Sequence, residues 1–352
     1  MSINVSYTVT QEHIEQWFAR QLGKQTFRIE NFRHIDNGAS GEAAFFHLIR
    51  DVDGIEETAE LVLKASPSRE KFFPHDDLER QHKILNALQA RGLAVPRSLW
   101  LELDPAPLGG PFIVMEQMHG TMISDRPPGI HGAGLLFEAS EAERAGYWNS
   151  CIEFIAQLHR IDATHPDFAF LGTPKNARET VLRKIDELEQ LLLWSEQVLP
   201  RVDDMHYALR WLRDNCPNPT HYNVCWDDPK LGNILFENGR LVGALDWETA
   251  LLAPGEFDLA YWLLVDESSY TTNKIPRLAG LPSHEESIAL YEKLLGRKVE
   301  DFDYYFTFAN FKLALFLVLA ARLDKLTGAF GGRHNAADNA IINRLRKRLG
   351  LN

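Results

Sequence analysis

CWDDPKLGNILFENGRLVGALDWETALLAPGEFDL, residues 225–259, decides how this chain is read. Ile234-Leu235-Phe236, then Glu237-Asn238-Gly239-Arg240, then residues 241–245 read as a β-hairpin. Asn-Gly tolerates the positive φ that a tight turn between strands requires. Such a hairpin brings Asn233, before its first strand, beside Asp246, after its second. Asp228 lies five residues before Asn233, on the preceding loop. Each of these residues alone reads more simply as a turn former, because Asp and Asn side chains close Asx-turns. The combination is less common. An Asp, four residues, an Asn and a hairpin ending in Asp supply a carboxylate to orient a hydroxyl and two oxygen ligands for Mg²⁺ on ATP, the set that phosphoryl transfer needs.

Outward from this block, the N-terminal third reads as one strand-rich unit. Residues 10–22 form an amphipathic helix with Ile14, Trp17, Phe18 and Leu22 on one face and Thr10 as N-cap. Strands follow at 27–35, 43–50 and 59–65, with Asn37-Gly38-Ala39-Ser40-Gly41 as a small-residue turn. Asp76 or Asp77 caps a helix running to about Arg91, and Val95-Pro96 ends that segment. Further strands are expected at 98–103 and 111–117. One helix among five strands makes a small α+β lobe. From Met118 the composition turns helical. Ser140 with Glu143 has capping-box spacing, and a stripe of Trp148, Ile152, Ile155 and His159 follows. A helical pair is expected over 176–214, and helices at about 283–295, 303–323 and 335–349. The boundary falls at a short hinge near residues 116–120.

Composition narrows the function. The 352 residues suffice for two lobes, each with its own core. A net charge of −12 argues against a nucleic-acid partner. It suits a neutral or cationic small molecule, and Glu248, Glu256, Asp266 and Glu267 are candidate contacts for one. The longest apolar run, residues 313–321, is far short of the ~20 residues a membrane span needs, so no membrane partner is expected. Cys151, Cys216 and Cys225 have neither disulfide-framework nor zinc spacing. With no signal peptide visible, the expected location is cytoplasmic.

The block resembles the aminoglycoside phosphotransferase and choline kinase-like family, which shares the protein-kinase fold. The family pattern is His-Gly-Asp, four residues, Asn, then a strand pair ending in Asp-Trp or Asp-Phe. Here it stands as Trp226-Asp227-Asp228-Pro229-Lys230-Leu231-Gly232-Asn233, with Leu245-Asp246-Trp247-Glu248 downstream. A bacterial branch of the family often carries Trp in place of the His. Leu108-Gly109-Gly110-Pro111-Phe112-Ile113-Val114-Met115-Glu116, Arg126-Pro127-Pro128-Gly129 and Phe257-Asp258-Leu259-Ala260 add to the likeness, which covers about residues 30–325.

The resemblance implies a two-lobed α+β protein. Residues 1–117 would be an N-lobe with a five-stranded antiparallel sheet and one helix, and 118–352 a larger, mostly helical C-lobe. It implies Asp228 as catalytic base, and Asn233 and Asp246 as Mg²⁺ ligands. Lys64 would bind ATP phosphates, covered by the loop that contains Ser40 and Gly41. Gln81 would be the helix partner of Lys64. Glu116 and Met118 would form the hinge at adenine. Asp258 would hold the block in place through hydrogen bonds. ATP and Mg²⁺ are the implied cofactors, and a small-molecule hydroxyl the acceptor. Other acceptors open to the same chemistry are a hydroxyacyl thioester, a choline-like amine or a macrolide.

Two departures point to a rival, a nucleotide-binding protein with weakened turnover. Asp227 replaces the family's Gly, which sets a second carboxylate beside Asp228 and would raise the pKa of one of them. Gln81 replaces the family's Glu, and Gln cannot form an ion pair with Lys64. Asp77, four residues earlier on the same helix face, is a candidate substitute.

Overall fold

The computed structural model describes residues 9–36, 42–66, 70–74, 77–124, 129–332 and 335–351. Ser40 and Gly41, expected to cover the phosphates, lie outside the described residues, as do most of the loop around them and Asp76.

Helix α1 (Gln11–Leu22) opens the described chain; Thr10 accepts from the His13 N–H and Gly23 ends it at φ 62°. Strands β1 (Phe27–Asp36), β2 (Glu42–Val52) and β3 (Ile55–Ala65) follow. Helix α2 (Leu78–Gln89) comes next, capped by the Asp77 side chain on the Arg80 N–H. Strands β4 (Ser98–Glu102) and β5 (Phe112–Glu116) complete a sheet of order β1-β2-β3-β5-β4, antiparallel throughout.

Period-2 alternation gives this sheet two working faces. Ala44, Phe46, Leu48, Leu61, Leu63, Ala65, Phe112 and Val114 pack in one cluster with Ile14, Trp17 and Phe18 of α1. Their neighbours Ala43, Phe45, Val62, Lys64 and Met115 line a cleft on the other face. On that side Ile113 joins Ile84, Leu85 and Leu88 of α2 in a second core. The sheet therefore carries α1 on one face and α2 on the other, both at stretches the sequence marks as helical. Trp17 meets Phe112 edge-on at 5.0 Å, and Phe18 meets Trp100 at 5.3 Å. Truncating such a ring costs about 3–5 kcal/mol, so α1 is an integral part of the lobe.

Strand β6 (Thr121–Met122) and a short helix α3 (Leu135–Glu138) lead into α4 (Glu141–His159), which starts with the expected capping box of Ser140 and Glu143. The pair α5 (Ala177–Glu196) and α6 (Asp203–Asp214) follows, then β7 (Asn223–Cys225), β8 (Ile234–Glu237), β9 (Arg240–Ala244) and β10 (Leu251–Ala253). Helices α7 (Glu256–Asn273), α8 (His284–Leu295), α9 (Phe302–Thr327) and α10 (Ala340–Arg348) close the chain.

The sequence pattern missed α7, because Glu256 through Leu264 are all buried and an all-round buried helix shows no 3.6-residue stripe. Helix α9 is long and apolar enough to cross a membrane by length and composition; 83 % of its most apolar window is buried inside the protein. On α10, Arg346 pairs with Asp204 at 2.6 Å and Arg348 with Asp303 at 2.5 Å, which ties this helix to α6 and α9.

Between β5 and β6 the chain passes so close to β8 that only glycine fits at 120. Its φ is 149°, and a Cβ there would stand 2.9 Å from Leu235 Cβ and 3.2 Å from the Phe236 nitrogen. We expect Gly120→Ala to destabilise the protein by about 2 kcal/mol or more, read as a lower urea midpoint at unchanged m-value. An unchanged midpoint contradicts this packing.

Candidate active site

The hairpin forms as its sequence demands. Asn238 and Gly239 turn with φ of 50° and 78°, and β8 pairs with β9 from Ile234↔Ala244 onward. The Leu245 N–H donates to the Asn233 carbonyl at 2.8 Å, so Asn233 and the Leu245-Asp246 step are fastened together. Both Asn233 and Asp246 line a cleft of about 370 Å³ between the sheet and the helical part. Lys64, Gln81, Glu116 and Met118 line it too. The Met118 N–H has no acceptor among the described residues, which leaves a backbone donor at the cleft edge.

Asp228 stands behind Asn233 and does not itself line the cleft. The Asn233 amide nitrogen donates to the Asp228 carbonyl at 3.0 Å and to its Oδ2 at 2.9 Å. Lys230 Nζ lies 3.1 Å from the same Oδ2. Oδ1 is buried and has no hydrogen-bond partner among the described residues. One oxygen of the carboxylate is thus fixed from two sides, and the other is left able to accept a hydrogen bond. Lys230 was not singled out in the sequence, although its place two residues after Asp228 on the same loop made it visible.

Lys64 Nζ sits 3.2 Å from Asp246 Oδ1 and 3.1 Å from Glu248 Oε2. With its oxygen turned to the donors, the Gln81 carboxamide accepts from Lys64 Nζ and from the Glu248 N–H, each at 3.3 Å. Asp77 does not replace the missing helix carboxylate, because it caps α2; the acid comes from Glu248, two residues beyond Asp246. Burial works against the Lys64 ammonium, but these two carboxylates more than offset it and raise its pKa above the usual lysine range. Burial likewise pushes Asp246 up, and Lys64 and Lys230 outweigh it, holding the carboxyl below the usual range.

The backbone of the loop after β7, residues 226–230, hangs on Asp258. Its Oδ2 accepts from the Trp226 N–H and its Oδ1 from the Asp227 N–H, both at 2.8 Å. His159 Nε2 meets Oδ2 at 3.0 Å, and His159 Nδ1 meets the Tyr291 hydroxyl at 2.6 Å. Trp226, where the family pattern has His, stacks on Trp247 at 5.2 Å and 12°. Its indole N–H donates to the Leu245 and Asp246 carbonyls at 3.0 and 3.1 Å. The loop bearing Asp228 is thereby tied to the segment bearing Asp246.

Asp227 has φ 72°, the left-handed conformation for which Gly is favoured. Asp227 has counter-charges of its own. Asp227 is buried between Lys184 of α5, 3.0 Å from Oδ2, and Lys312 of α9, 2.8 Å from Oδ1. Burial would raise its pKa; the two lysines outweigh that and lower it.

The acids proposed for a cationic substrate are already engaged. Glu248 pairs with Lys64, Asp266 with His131 and Arg277, and Glu267 with Arg344. Glu256, only 1 % exposed, pairs with Arg297 at 2.5 Å and His221 at 3.4 Å.

Two predictions follow from these bonds. Asp258→Asn keeps at most one strong acceptor toward the two loop N–H groups and should cost about 2–3 kcal/mol of stability; a loss under about 0.5 kcal/mol contradicts the anchoring role. For Glu256, burial opposes ionisation, but the His221 and Arg297 contacts lower its pKa from 4.5 to about 2. A depressed folded pKa stabilises above about pH 4.5 and loses that contribution as pH falls toward 2. Glu256→Gln should remove roughly 3 kcal/mol at neutral pH and flatten the acid limb of the stability curve. An unchanged acid limb counts against it.

The family model described as the phosphotransferase enzyme family matches residues 32–281. A human relative, acyl-CoA dehydrogenase family member 11, is 25 % identical over 273 residues, 72 % of this chain and 32 % of that protein. The chain thus spans about a third of that relative's length. A Ralstonia eutropha JMP134 structure, provisionally labelled an aminoglycoside phosphotransferase, superposes with a TM-score of 0.69 at 21 % identity, covering 97 % of this chain and 96 % of that one. A thermostable mutant of aminoglycoside phosphotransferase APH(4)-Ia, in ternary complex with ADP and hygromycin B, gives 0.57 at 15 % identity, covering 95 % and 98 %. These structures share the two-lobed, kinase-like fold, and the chain belongs to the phosphotransferase enzyme family.

Proposed function

We propose that this protein transfers the γ-phosphoryl group of ATP, in the presence of Mg²⁺, to a hydroxyl of a small molecule. The observation that carries the proposal is convergence: β3, the catalytic loop and the end of the β8–β9 hairpin bring Lys64, Asn233 and Asp246 to one cleft, with Asp228 hydrogen-bonded to Asn233. In this reading residues 1–117 form the nucleotide-binding lobe and 118–352 the catalytic lobe. Adenine meets backbone groups at Glu116 and Met118, and the phosphates meet Lys64.

The donor set fits a hard cation. Asn233 has its amide nitrogen engaged by Asp228, which leaves its carbonyl oxygen as a ligand next to the Asp246 carboxylate. Bound there, Mg²⁺ would neutralise charge on the phosphates. Asp228 takes up the proton of the acceptor hydroxyl, while Asn233 and Lys230 keep its carboxylate from rotating. Lys64 stabilises phosphate charge, and its carboxylate partners keep it protonated. Gln81 positions Lys64 and Glu248 in place of an ion-pairing Glu. Most of the rate would come from positioning and fixed charge.

Asp227 and Gln81 were the grounds for the weakened-turnover rival, and both are accommodated by their surroundings. The acceptor is a separate matter. Polycation recognition gains little from acids that already hold partners. A relative named for acyl-CoA dehydrogenase chemistry makes a hydroxyacyl thioester the second acceptor to try. An ATP-dependent enzyme with three buried free thiols also accords with a cytoplasmic setting.

The experiment follows ADP formation with ATP, Mg²⁺ and a panel of aminoglycosides, hydroxyacyl thioesters, choline-like amines and macrolides. Asp228→Ala should lower kcat about 10²–10⁴-fold while melting stays cooperative, and chelating Mg²⁺ should abolish transfer. A folded Asp228→Ala variant at the wild-type rate removes Asp228 as the base.

A further inference from the structure

The two lysines around Asp227 are out of place by ordinary rules. Lys184 is 3 % exposed and Lys312 is 2 % exposed, and lysine is almost never so buried unless paired. They come from α5 and α9, far from the catalytic loop in sequence, and meet on one carboxylate that is itself 2 % exposed. Lys312 also donates to the Asp227 carbonyl and lies 4.1 Å from the centre of the Tyr261 ring, on α7. Lys184 reaches Glu187 as well, at 2.9 Å, and Glu187 is half exposed. Two ammoniums and two carboxylates therefore run from the solvent edge of α5 to the residue next to the base. The Asp227 N–H is meanwhile held by Asp258. Asp227 thus faces three helices: α7 holds its N–H through Asp258, α9 holds its carbonyl and Oδ1 through Lys312, and α5 sets Lys184 as the counter-charge to Oδ2. A carboxylate stands at φ 72°, where glycine would avoid strain.

We infer that Asp227, Lys184 and Lys312 form a buried ionic clamp that positions Asp228 by locking the catalytic-loop backbone to α5 and α9. Asp227 is a positioning residue. It touches no reacting atom and acts by keeping its neighbour in register with Asn233. Misplacing a reacting group by about an ångström can cost on the order of 10²-fold in rate, so a clamp of this kind is felt in turnover. The α5–α6 pair and the base then move as one body.

The inference rests on the phosphotransfer reading for its kinetic arm only. Three full-length variants test it: Asp227→Gly, Lys184→Met with Lys312→Met, and all three changes together. Asp227→Gly leaves Lys312 buried with no carboxylate and Lys184 with Glu187 alone, so its melting temperature should fall. It should lower kcat at least tenfold and leave the KM for ATP within twofold. The triple variant removes the stranded charges, so melting should recover toward wild type while kcat stays at least tenfold down. Recovery of kcat together with melting would show a purely structural role and overturn the clamp as a positioning device. Amide exchange reads the loop without any activity. In the triple variant the backbone N–H groups at positions 227 and 228 should be at least tenfold less protected than in wild type, each relative to its own intrinsic exchange rate; unchanged protection overturns the inference. If wild-type protein transfers no phosphate to any acceptor, the functional reading fails, and exchange alone still decides the clamp.

Discussion

One buried carboxylate organises this molecule. Asp258 is fully buried and accepts from two successive backbone N–H groups at the start of the loop after β7 and from His159. Backbone donors buried without such an acceptor would each cost on the order of 1–3 kcal/mol. The loop they belong to is irregular, with a left-handed residue at 227. It has no sheet or helix ladder to define its path, so side chains must. Asp258 supplies that definition from α7, and the His159–Tyr291 contact carries it on to α4 and α8. Gly255 leaves the needed room, since a Cβ there would fall 2.4 Å from the Tyr291 hydroxyl.

From that anchor the site is built by short links. Trp226 ties the loop to the carbonyls of Leu245 and Asp246, and the hairpin ties Asn233 to Leu245. Lys64 and Gln81 connect the sheet and α2 to Asp246 and Glu248. The acidic partners of Lys64 thus lie on the segment after β9 and not on α2. A salt bridge across the cleft holds sheet and helical part together where the nucleotide would enter. Surface ion pairs contribute little, but this one is largely shielded from water, so its loss would be felt.

Much of this was legible in residues 225–259. Asn-Gly set the hairpin, and the hairpin set the Asn233–Asp246 approach, because local turn chemistry needs no knowledge of the rest of the chain. The sheet was legible through alternation, and Lys64 falls on the cleft face because Leu63 and Ala65 fall on the other. The rest depended on contacts that leave no local trace. Helix α7 shows no stripe, since its first half, Glu256 through Leu264, is buried on all sides. Asp227 looked like a liability because Lys184 and Lys312 lie 43 and 85 positions away and carry no motif. Glu248 looked like a free acid for the same reason. Charges predicted from sequence lack their partners, and here the partners decided what each charge does.

The central claim is that Asn233 and Asp246 hold one divalent cation on the phosphates of ATP, within reach of Asp228. A crystal structure of the full chain with Mg²⁺ and a non-hydrolysable ATP analogue tests it most directly. The account predicts a cation at about 2.1 Å from the Asn233 carbonyl oxygen and an Asp246 oxygen, with phosphates at Lys64 and adenine against residues 116–118. A nucleotide bound elsewhere, or a cation that touches neither side chain, would contradict it.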